Sequence, residues 1–61
     1  MNEDQKAKLY GSLMTEHRML FNEINNIKGQ NIELNKEQIS KIKMMEMRQK
    51  SIMEQVKRLF N

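Results

Sequence analysis

Two apolar seams, each built from alternating steps of three and four residues, run along this chain out of phase with one another by four residues. The first passes through Tyr10, Leu13, His17, Leu20, Ile24 and Ile27. The second passes through Gln38, Ile42, Met45, Gln49, Ile52, Val56 and Leu59. Such spacing gathers one side chain per turn onto a single helical face, the pattern of a heptad seam. A strand needs sustained two-residue alternation and β-branched side chains, whereas Val56 is the only valine. No proline interrupts the pattern, and Lys, Glu, Gln, Met, Leu and Arg, all good helix formers, dominate from Asp4 to Phe60. The expectation is an all-α chain forming one domain over residues 1–61.

The four-residue slip leaves two architectures. In one, the helix breaks between residues 28 and 35: Gly29 caps the first helix, and Asn35 caps the second with Glu37 and Gln38 in its first turn. The product is an antiparallel hairpin of two long helices. In the other, a single helix of roughly 85–90 Å runs throughout and the slip is a stutter in a continuous parallel coiled coil. Asn31 and Gln38 would then be polar core layers of a rod.

Folding the chain near residues 32 and 33 brings together residues whose numbers sum to 65 or 66. Ile24 then faces Ile42, Leu20 faces Met45, Leu13 faces Ile52, Tyr10 faces Val56, and polar His17 faces polar Gln49. On the flank, Glu23 lies opposite Lys41 and Glu16 opposite Arg48. A parallel coil also offers two attractive pairs, Glu23 with Lys28 and Lys41 with Glu46. Gly29, the five asparagines from Asn22 to Asn35 and the His17–Gln49 match favour the hairpin. Its expected core is Leu13, His17, Leu20, Ile24, Ile42, Met45, Gln49, Ile52 and Val56, with His17 hydrogen-bonded to Gln49 to fix register.

A chain of 61 residues rarely draws more than about 3–5 kcal/mol from its own core. With no cysteine and a single histidine, neither disulfides nor an ordinary structural zinc site can supplement it. Moreover, the seam leaves Met14, Phe21, Ile39, Met53 and Phe60 in the adjacent heptad row, a stripe wider than two helices cover. These five residues are the expected partner or oligomer face, closing a helical bundle with a second hairpin or docking on a larger protein. The seven methionines suit an adaptable surface of that kind.

A second repeat, Lys36, Lys43, Lys50 and Lys57, recurs every seven residues. From Asn31 onward there are seven basic and four acidic residues, against four of each in the first thirty. Such a ridge could follow a phosphate backbone, which makes a small nucleic-acid-binding regulator the rival reading. Glu37, Glu46 and Glu54 interleave with it, however, and no aromatic stacking platform accompanies it.

Catalysis finds no constellation. His17 is the only imidazole, and its neighbours Glu16 and Arg18 lie on other helix faces. No phosphate loop, calcium loop or metal-ligand spacing is present, so no catalytic, cofactor-binding or metal residue and no small-molecule substrate is expected. No run approaches the ~20 apolar residues of a membrane span, and Met1-Asn2-Glu3-Asp4 is acidic where a signal peptide is basic. The sequence therefore reads as a small non-enzymatic interaction or structural accessory protein, cytoplasmic, with a lysine- and asparagine-rich composition of bacterial or phage type, in the latter case acting in the host cytoplasm. Heptads identify an architecture and leave the partner open.

Overall fold

The computed structural model describes residues 2–30 and 33–61, and it is an antiparallel hairpin of two α-helices, α1 (Glu3–Lys28) and α2 (Lys36–Leu59). The described residues contain no strand. Its long dimension of 47 Å, with 14 and 13 Å across, is about half the roughly 90 Å that one continuous helix of the whole chain would span at 1.5 Å per residue. The continuous parallel rod is thereby overturned: the helix stops at Lys28 and restarts at Lys36. The point where the chain reverses, and the Asn31 core layer expected of a rod, lie outside the described residues.

The same device opens each helix. Asn2 and Asn35 accept hydrogen bonds from the backbone N–H of Gln5 and Gln38, both at 2.8 Å, while those glutamine side chains accept from the asparagine N–H groups at 3.2 and 3.0 Å. Each reciprocal pair satisfies two otherwise orphaned donors. Glu3, Asp4 and Glu37 in the first turns, and Lys28, Lys57 and Arg58 in the last, complement the helix dipoles. Gly29 ends α1 as expected, with its N–H donated to the Asn25 carbonyl at 2.8 Å. Its backbone is right-handed (φ −78°, ψ −8°), so left-handed freedom is not what selects glycine. A Cβ there would sit 2.9 Å from the Asn25 carbonyl oxygen, too close for a side chain without moving the last turn.

Two buried clusters hold the helices together. Near the open end, Leu13, Ile52 and Val56 pack with Met14, Leu20 and Leu59. Nearer the turn, Ile24, Ile42 and Met45 pack with Leu20, Ile27 and Leu34. Leu20 touches both clusters and joins them. Leu34, just before α2, is a core contact that helical periodicity could not assign, because it precedes the cap.

Between the clusters lie His17 and Gln49, both half-buried. The expected polar layer is present with a different bond: the Gln49 side-chain amide donates to the His17 backbone carbonyl at 3.3 Å, and the imidazole takes no part. Tyr10, expected opposite Val56, meets an aromatic one turn further on, at the end of α2. It is exposed, and its ring meets Phe60 edge-on at 5.7 Å between centroids.

The flank pairs fall where the register puts them. Arg48 clasps Glu16 through two donors, Nε at 2.7 Å and a terminal nitrogen at 2.9 Å, and Lys41 meets Glu23 at 3.0 Å. The Arg48 hydrogen bond holds the Glu16 carboxyl below its ordinary value of 4.5. A carboxylate whose pKa is depressed by folding contributes stability that is present above the unfolded-state pKa and lost as pH falls through the folded-state value. An NMR titration should therefore give Glu16 a lower midpoint in the parent than in Arg48→Gln. A midpoint unchanged by that substitution would show that the clasp does not persist in solution.

Candidate functional site

The antiparallel register gives the hairpin two unlike sides, because like heptad rows face each other across an antiparallel seam. On the first side, the row preceding each seam position contributes Glu16 and Glu23 from α1 and Lys41 and Arg48 from α2. These four charges neutralise one another in the two ion pairs described above.

On the opposite side, the row following each seam position contributes Met14 and Phe21 from α1 and Ile39, Met53 and Phe60 from α2. This is the set expected to hold a partner. Phe21 is 53% exposed and Phe60 is 64% exposed, with Ile39 and Met53 also exposed. Met14 differs: it is half-buried and packs on the Leu13 cluster, so it forms the floor of the face. Phe60 is partly engaged by Tyr10, which anchors the apolar row at the open end. Beside Met14 an open depression is lined by Thr15, His17 and Arg18.

One ion pair interrupts this side, Lys28 with Glu46 at 3.8 Å. It is a contact within the hairpin that reading the two partners in a parallel coil did not bring together. The lysines Lys36, Lys43, Lys50 and Lys57 are all exposed. Their positions, one helical step beyond the apolar row of α2, make them its border. Sequence spacing had found both the ridge and the row, and the fold sets them side by side.

Met19, Met44 and Met47 are exposed away from this face. No group of three or more His, Cys, Asp or Glu residues could hold a metal ion, and no helix is long and apolar enough to cross a membrane, among the described residues. The chain matches no protein-family model, no curated protein and no solved structure.

Proposed function

We propose that this protein is a non-enzymatic interaction module that self-associates or docks on a larger assembly through the face built on Met14, Phe21, Ile39, Met53 and Phe60. The observation that carries this reading is the set of exposed apolar side chains Phe21, Ile39, Met53 and Phe60, broken only by the Lys28–Glu46 pair, on one side of a hairpin whose other side carries two matched ion pairs. Single exposed apolar residues are ordinary on a protein surface, but a row of this kind is a hallmark of contact sites.

The rival reading, a nucleic-acid-binding regulator, draws support from the exposed lysine ridge. It leaves the apolar row without a role.

A photo-crosslinking amino acid placed at Phe21 or at Met44, which is 71% exposed on the other side, tests the assignment in living cells. Adducts are expected from position 21, whether to a second copy or to another protein, and not from position 44. Adducts from position 44 alone would overturn the assignment of the face.

A further inference from the structure

The charges bordering the apolar face are not balanced, and they say what can cover it. Six basic residues, Arg18, Lys28, Lys36, Lys43, Lys50 and Lys57, lie in this row and the row next to it. Only two acidic residues, Asp4 and Glu46, share those positions. This side therefore carries +4, more than the +3 of the entire chain. Among the described residues, Lys28 alone of the six has an ion-pair partner, Glu46. On the opposite side Lys41 and Arg48 are both matched.

We propose that the face is covered by an acidic amphipathic helix of a different protein, laid along the groove between α1 and α2 to complete a three-helix bundle. This rests on the reading of the face as a docking surface and names its occupant. A second copy fits poorly, because stacking two such faces sets +4 against +4. With the turns at opposite ends, Lys50 meets its own counterpart; with the turns together, Arg18 meets Lys50. Like charges juxtaposed across an interface oppose association.

The spacing favours a helix over other polyanions. The four lysines recur every seven residues, about 10.5 Å apart along α2. That is the interval at which a packed helix presents its own flanking heptad positions. A partner helix with Glu or Asp at those positions would pair with Lys36, Lys43, Lys50 and Lys57 on one flank and with Arg18 on the other. Its apolar residues would meet Phe21, Ile39 and Met53, the groove mode of helix recognition. From Ile39 to Phe60 the face is about 31 Å long, or roughly six helical turns.

The probe is a synthetic 28-residue helix with Leu at both seam positions of each heptad and Glu at both flanking positions, alongside a twin carrying Lys in place of Glu. Titrated into the full-length chain, the Glu peptide is expected to bind, and the Lys peptide to bind at least tenfold more weakly. The double variant Lys43→Glu/Lys50→Glu should weaken the Glu peptide at least tenfold and reverse the preference, at unchanged helix content. Phe21→Asp should weaken both peptides. Equal binding of the two peptides, or binding of neither, would overturn the acidic-helix proposal.

Sedimentation of the chain alone separates the two levels of the argument. A dimer that Phe21→Asp dissociates would overturn the acidic partner while sustaining the docking face. A dimer that Phe21→Asp leaves intact would overturn both. Salt-sensitive binding to duplex DNA or to vesicles with 30% anionic lipid, without binding to the Glu peptide, would replace the helix with that polyanion.

Discussion

Replacing Ile52 with Ala should remove roughly half of the hairpin's stability and lower its melting temperature sharply. Ile52 is 0% exposed and stands at the centre of the cluster with Leu13 and Val56. Truncating a fully buried isoleucine costs about 2–5 kcal/mol, from lost transfer free energy and from the cavity left behind. A domain of this size has only about 3–5 kcal/mol from its core to lose. Two helices also surround the site incompletely, so part of the cavity can collapse, which places the expected loss at the lower end of the range. Far-UV circular dichroism during thermal melting checks this directly. Met44→Ala, made on an exposed position, should melt with the parent. A cooperative Ile52→Ala transition within a few degrees of the parent would mean that the open-end cluster holds little of the fold.

Asn35→Ala should give the next largest loss, about 1 kcal/mol by the usual cost of removing an N-cap asparagine. The substitution removes the acceptor for the Gln38 N–H and leaves the Gln38 side chain without its reciprocal geometry. Asn2→Ala breaks an identical box at α1, yet it should cost less. The first turn of α1 lies at the free end of the hairpin and can fray alone, whereas the first turn of α2 sits beside Leu34 and Ile42 in the cluster near the turn. Equal losses for the two variants, measured by urea unfolding, would show that the cap energies are purely local.

The hairpin and its register were legible because several independent signals agreed. Hydrophobic spacing, the Gly29 and Asn35 punctuation, and the charges at Glu16, Glu23, Lys41 and Arg48 all select the same pairing. Other features escaped because periodicity reports which way a residue points and says little about how its atoms meet a neighbour. His17 was assigned to the seam, but its carbonyl and not its ring takes the Gln49 amide. Met14 lies on the expected face but is half-buried there, because its unbranched side chain packs against the cluster of Leu13, Ile52 and Val56. Leu34 precedes its helix and so has no phase to read. The Tyr10–Phe60 ring contact joins two heptad rows that position alone keeps apart. For the docking face, sequence yielded the apolar row and the lysine repeat as separate observations. The antiparallel fold adds Phe21 and Arg18 of α1 to that side and leaves the matched charges on the far one.

The His17–Gln49 gap between the two apolar clusters has a dynamic consequence. The cluster of Ile24, Ile42 and Met45 is tied to the nearby turn and closes a short loop, whereas the cluster of Leu13, Ile52 and Val56 closes a loop of some forty residues. Loop closure grows dearer in entropy with length, and among the described residues Leu20 alone carries apolar contact past the half-polar layer between the two clusters. The helices accordingly zip from the turn outward and breathe from the termini inward. The Phe60 end of the molecule is then the part that opens first, and Phe21, beyond the gap, keeps its setting while it does.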